Sequence, residues 1–188
     1  MLDQGTAAAD SGENPLPTSP EALFSVLSGL GIPYTLHRHP AVFTVAESAG
    51  IERAIPGAHC RNLFLRDKKE NMLLVVAQNE TLLDLKKLAA LLGAGRLSFG
   101  SPERLWKVLG IRPGSVCPFC LINDKERAVR VVLDAAMMRH DIVNYHPLDN
   151  RMTVGLSPAD LLRFIGHTGH APEIVDLTPA APDEKEQG

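Results

Sequence analysis

The chain lacks a basic excess. Among 188 residues, 19 Lys and Arg stand against 22 Asp and Glu, a formal net charge of −3. A protein that tracks along a duplex usually carries the opposite balance. Any nucleic acid met here is therefore gripped over a small part, and a pocket for one terminal nucleotide needs few cations. Cysteine is scarce. The three present are an odd count with no secretory leader, which argues for free thiols in a reducing compartment. Residues 1–20 hold Asp3, Asp10 and Glu13 but no hydrophobic run, so they are neither a signal peptide nor a transit peptide. No apolar stretch approaches the roughly 20 residues that span a bilayer. A cytoplasmic protein with no membrane partner is expected. Also absent are internal repeats, heptads, a Walker loop, a dinucleotide glycine fingerprint, a nucleophile elbow and a zinc-protease helix.

What is there is ordinary globular composition, 45% hydrophobic and 22% charged. The length suits one compact domain with tails, large enough to bury a core unaided. Residues 1–18, rich in Ala, Gly, Ser and Pro, read as a disordered leader. The body spans 19–177, and 178–188 form a polar tail. Three helices announce themselves by the same opening, Ser19-Pro20, Ser101-Pro102 and Ser157-Pro158: a hydroxyl cap followed by a proline at the first helical position. The first helix ends near Gly29 or Gly31 and gives way to an extended exit, Ile32 to Leu36. A short helix is expected around Val45 to Ala49, capped by Thr44, and another over Leu82 to Leu92. Asn62 to Leu65 and Met72 to Ala77 read as a hairpin across a polar turn. Further strands are expected at 97–99, 129–133, 142–146 and 151–156. Strands and helices mix without steady alternation, which predicts a single compact α/β domain with a mixed sheet.

The residues that can carry chemistry are few. Gly114-Ser-Val-Cys-Pro118 is a connecting turn in the first instance. Its glycine and proline also allow backbone amides to face a small ligand. Cys117-Pro-Phe-Cys120 invites a redox or zinc reading, but a strand follows where a thioredoxin-type motif needs a helix. Zinc would need two more ligands; two small core or pocket residues is the simpler reading. His146 ends a strand-like run and can donate or accept near neutral pH, in competition with six other histidines. Arg61-Asn62 pairs a cation with an amide, which suits phosphate or ribose recognition or simply a solvated strand end. Arg66, Lys68 and Lys69 form a basic turn that can touch an RNA backbone.

Taken in order, Arg61-Asn-Leu-Phe-Leu, Gly114-Ser-Val-Cys-Pro-Phe-Cys-Leu-Ile-Asn-Asp, Val131-Val-Leu-Asp, Tyr145-His-Pro-Leu-Asp-Asn, Thr153-Val-Gly-Leu-Ser and Phe164-Ile-Gly-His-Thr-Gly-His-Ala-Pro resemble the YbaK/ProX-type aminoacyl-tRNA editing domains. These are relatives of the insertion domain of bacterial prolyl-tRNA synthetase. The likeness runs from about Ser19 to Leu177 and is greatest to the free-standing alanyl-tRNA(Pro) deacylases. It implies a barrel-like mixed sheet with packed helices and hydrolysis of mischarged tRNA, most of all Ala-tRNA(Pro). It implies no cofactor and no metal, with the tRNA acceptor end and prolyl-tRNA synthetase as partners. By the same resemblance Arg61, Asn62, Gly114, Ser115 and His146 would be catalytic, and Val116, Cys117, Pro118 and Phe119 would line the substrate. The family's usual lysine is Arg61 here. Arginine keeps the charge but cannot give up a proton, so an anchoring role survives and a general-base role does not. Two rival classes are a catalytically silent nucleic-acid-binding module of the same fold and a redox or zinc protein built on Cys117 and Cys120.

Overall fold

The computed structural model describes residues 14–42 and 45–178. Thr44, the expected cap, and most of the leader and tail lie outside them. Residues 14–18, assigned to the leader by composition, run along the body. The Thr18 hydroxyl donates to Asn123, the Arg112 guanidinium donates to the Asn14 carbonyl, and Leu16 packs against the core.

The serine–proline openings act as caps. Ser19, Ser101 and Ser157 each accept a backbone N–H from the residue three further on, starting α1 (Pro20–Gly29), α4 (Pro102–Leu109) and α5 (Pro158–His167). Gly110 closes α4 in the left-handed region, φ 57°. The short helix near residue 45 is longer than expected, α2 (Val45–Ala54), and α3 is shorter, Leu85–Leu91. The apolar run at 116–122 becomes a 3₁₀ turn over Pro118–Asn123.

Eight strands form one mixed sheet: β1 (Thr35–Arg38), β2 (Ala58–Arg66), β3 (Met72–Gln78), β4 (Ser98–Phe99), β5 (Val129–Asp134), β6 (Val143–Tyr145), β7 (Met152–Leu156) and β8 (Glu173–Val175). The order is β1-β7-β6-β2-β3-β5-β8, with β4 beside the far end of β2. This hydrogen-bonded path has two ends and does not close into a ring. The β2–β3 and β6–β7 pairs are antiparallel, while β2–β6, β3–β5 and β5–β8 are parallel. β8 has no alternating apolar signal, and its exposed Glu173 and Ile174 are held by the ladder to β5 and by an Arg130–Glu173 ion pair.

The long strand β2 divides the interior. From Cys60 onward, alternate side chains enter two apolar clusters, as the period of two requires. Cys60 and Phe64 join the larger core under α1, α4 and α5, whereas Leu63 and Leu65 join a smaller one under α3. β2 also switches partners along its length, meeting β6 at Ala58–His59 and β4 at Leu65–Arg66. Its first half is thereby left beside α2, with a cavity between them.

Candidate active site

The cavity encloses about 80 Å³ and is lined by α2 (Ser48, Ile51, Glu52), β2 (His59, Cys60, Asn62), β6 with its exit (Asn144, Tyr145, His146), and His39, Val42 and Thr153. Among the described residues its wall holds one carboxylate and no lysine or arginine.

His146 is the most sharply specified of these. Its Nδ1 lies 2.8 Å from the Met152 carbonyl. A carbonyl only accepts, so Nδ1 carries the proton, and in the neutral ring Nε2 keeps its lone pair. Burial holds the imidazole below the ordinary histidine range, against the Met152 bond, which favours the charged form. His39 sits beside it, ring centroids 6.0 Å apart. His39 donates Nδ1–H to the Pro40 carbonyl at 2.9 Å, and its Nε2 meets the Thr153 hydroxyl at 2.9 Å. His59 donates Nε2–H to the Ile55 carbonyl.

Asn62 lines the cavity and buries its Oδ1 with no partner among the described residues; the same is true of Asn144 Oδ1. The Asn144 amide donates to the carbonyls of Pro56 and Ala58 and so ties β6 to the start of β2. Behind it, Gly155 on β7 leaves no room: a Cβ there would stand 2.8 Å from Asn144 Oδ1 and 2.8 Å from Thr35 Oγ1. Glu52 Oε1 accepts from Ser48 Oγ at 2.7 Å and from Asn79 Nδ2 at 3.0 Å. Its Oε2 has no hydrogen-bond partner among the described residues. Burial pushes the Cys60 thiol up to about 12, so it stays protonated.

The structure brings together two of the residues expected to be catalytic, Asn62 and His146. Arg61 points the other way. Its guanidinium donates to the carbonyls of Asn79 and Thr81 in the β3–α3 loop and is absent from the cavity wall. The cause is strand alternation: when Asn62 faces the cavity, its neighbour must face the opposite side. Gly114 and Ser115 do not line the cavity either, and the Ser115 amide donates to the Arg112 carbonyl, closing a turn. It is not a free oxyanion donor.

The four residues expected to touch substrate do not line this cavity. Val116 packs against the core, and Cys117, Pro118, Phe119 and Cys120 are buried in it. Phe119 stacks edge-on against Tyr145 and Phe164, packing beneath β6. The Cys120 thiol, which donates to the Cys117 carbonyl, is pushed well above its ordinary range by burial. Among the described residues, no three His, Cys, Asp or Glu side chains gather as metal ligands would.

At the hairpin tip Arg66 pairs with Glu70, which also meets Arg104, while Lys68 and Lys69 are exposed. Arg66 stands four residues along β2 from Asn62, roughly 13 Å at about 3.3 Å per residue, with Lys68 and Lys69 in the turn beyond it. Sequence reading missed Glu52, Asn144, His39 and His59. The signal for Asn144 was its place two residues before His146, on the same face of a strand.

This arrangement of a mixed sheet, a short helix and a histidine–asparagine cavity has relatives. A model of the aminoacyl-tRNA editing domain matches residues 39–164. The chain is 39% identical over 153 residues to prolyl-tRNA synthetase associated domain-containing protein 1 of Danio rerio, covering 80% of this chain and 83% of that one. It is 37% identical over 158 residues to the prolyl-tRNA editing protein ProX of Acetoanaerobium sticklandii, covering 84% and 96%. Among solved structures, a candidate trans-editing enzyme for prolyl-tRNA synthetase superimposes with a TM-score of 0.66 at 23% identity, covering 87% and 99%. That likeness concerns the fold alone. The family match spans every strand from β2 to β7, together with all the cavity-lining residues, and on that ground the chain belongs to the aminoacyl-tRNA editing domain family.

Proposed function

We propose that the protein is a cytoplasmic deacylase that acts in trans on mischarged tRNA, hydrolysing the ester between the amino acid and the terminal ribose, with Ala-tRNA(Pro) as its foremost substrate. The observation that carries this is His146: a neutral imidazole whose Nε2 lone pair is presented beside Asn62 in a small cavity. The aminoacyl group enters the cavity and the adenosine stays at its mouth. Nε2 accepts a hydrogen bond from the neighbouring ribose hydroxyl or from the attacking water, and Asn62 orients the ester. Water adds to the ester carbon, the bond to the ribose oxygen breaks, and that oxygen takes the proton. Free amino acid and uncharged tRNA leave. The chemistry is mostly positioning in a site shielded from bulk water, with His146 a modest general base.

The size of the cavity supports a small side chain. A pocket sized for alanine would exclude the larger proline ring, with Val42 and Ile51 as the apolar side chains on its wall, a difference worth about 1–3 kcal/mol. The ProX relative, almost all of whose length is matched, is named for prolyl-tRNA editing, and the zebrafish relative for association with prolyl-tRNA synthetase. Both names support tRNA and that synthetase as partners here. Lys68 and Lys69 would touch the tRNA backbone weakly. The test is a panel of tRNAs charged with Ala, Ser, Cys, Thr, 2-aminobutyrate and Pro. Ala-tRNA(Pro) should be deacylated faster than Pro-tRNA(Pro). No hydrolysis above the uncatalysed rate for any member would leave a silent RNA-binding module.

A further inference from the structure

Several acceptors on the cavity wall have no partner. Glu52 Oε2, Asn62 Oδ1 and Asn144 Oδ1 have no partner among the described residues. In their neutral rings His146 Nε2 and His59 Nδ1 are acceptors too, because the other nitrogen of each ring donates to a backbone carbonyl. Neutral donors such as the Asn62 amide and the weakly donating Cys60 thiol stand beside them, but among the described residues no lysine or arginine lines the wall. The two asparagine oxygens are buried, and orphaned buried acceptors are costly and call for a donor from outside. Among the described residues the wall has one acidic side chain, Glu52. It is pinned through Oε1 alone by Ser48 and Asn79, so its direction is set while Oε2 is left open.

We infer that this wall recognises the free α-ammonium of the aminoacyl group, with Glu52 as its counter-charge and Asn62 Oδ1 as a second acceptor. The inference rests on the deacylase reading and narrows its substrate class. An α-ammonium brings three N–H donors and one positive charge into a space that offers acceptors and one negative charge. An N-acylated amino acid brings one N–H, no charge and a bulky carbonyl. The site therefore accepts aminoacyl-tRNA and rejects peptidyl- or N-blocked aminoacyl-tRNA. Glu52 acts here as a specificity residue and takes no part in proton transfer at the ester.

The experiment compares Ala-tRNA(Pro) with chemically N-acetylated Ala-tRNA(Pro), using the full-length protein and its Glu52→Gln variant. Gln keeps an oxygen for Ser48 and Asn79 and removes only the charge. The parent should cleave the N-acetylated ester at least about tenfold more slowly, the scale of one lost charge-assisted hydrogen bond. Glu52→Gln should lose most of its activity on Ala-tRNA(Pro) through a raised KM and move the ratio between the two esters toward one. Equal rates for the two esters with the parent protein would overturn the inference and leave the deacylase reading standing. So would a Glu52→Gln protein that is active and keeps the parent's ratio. If the variant fails to fold, the parent's ratio alone decides. Hydrolysis of neither ester would overturn both.

Discussion

Arg61 and Asn62 are adjacent on one strand and live in different environments. Asn62 faces the cavity with an orphaned oxygen, beside Cys60 and across from His146. Arg61 faces the underside, where its guanidinium holds two loop carbonyls. Asn79 is the link between the two sides: its carbonyl takes Arg61, and its amide holds Glu52 on the cavity wall. One face of β2 is thus open to a cavity, and the other is braced against a loop, although Arg61 Nε too is buried without a partner among the described residues. A cation–amide pair in sequence need not be a cation–amide pair in space, and in a strand it seldom is.

The comparison breaks most severely if the cavity face is emptied. His146→Ala should lower kcat by about 100-fold or more, the range of a removed general base, with circular dichroism unchanged. The same residue sets the pH response. Its folded pKa lies below the ordinary 6.5, so the neutral, working ring persists to lower pH than in a free imidazole. Activity should be level at neutral pH and fall with acidification only below about 6.5, and the parent's pH–rate profile checks this. The same depression means that the unfolded chain binds the proton more readily than the fold does. Stability contributed by the neutral ring is therefore present above 6.5 and lost as pH falls below it.

Asn62→Leu comes next. It should reduce kcat/KM about tenfold, yet leave the melting temperature level or raised, because an orphaned acceptor is replaced by an apolar group of similar shape. A matching fall in both would place Asn62 in the framework and erase the contrast.

Arg61→Ala should show the opposite signature. Two loop carbonyls lose a charged donor, so stability should drop by about 1.5–3 kcal/mol in urea unfolding. Any activity loss should be insensitive to salt, since no phosphate contact is removed. Arg61→Lys should recover part of the stability, limited by the loss of the planar fork. A salt-dependent KM defect in Arg61→Ala would return Arg61 to the substrate. The smallest effect belongs to the hairpin tip, where Lys68→Ala with Lys69→Ala should change kcat/KM by less than about threefold at physiological salt.

Much of the fold was legible because it is written locally. The three serine–proline starts mark their helices, the Asp67–Asn71 turn marks the hairpin, and Gly110 marks a helix end. β1 was read only as an extended exit, Ile32 to Leu36, and β8 was not recognised. Both are short edge strands with exposed ends, defined by the ladders to β7 and β5 rather than by an apolar rhythm of their own. At the site, His146 and Asn62 were found through a family pattern. Glu52 and His39 come from segments with no motif and reach the cavity only after α2 and the exit from β1 fold over it. Cys117 to Phe119 lie in the core beneath the cavity, where a family motif can serve as packing.

Gly155 carries a lesson for how such a pocket can change over generations. The back wall is full to contact, with Asn144 and Thr35 already meeting the space that one methyl would occupy. Mutation from that side collides before it reshapes anything. The opposite wall, Val42 and Ile51, presents ordinary side chains whose exchange for smaller or larger ones disturbs no ladder. A lineage drifting toward a bulkier or smaller amino acid has an easy road through α2 and its approach and almost none through β7, so relatives with different amino-acid preferences should differ first at positions 42 and 51.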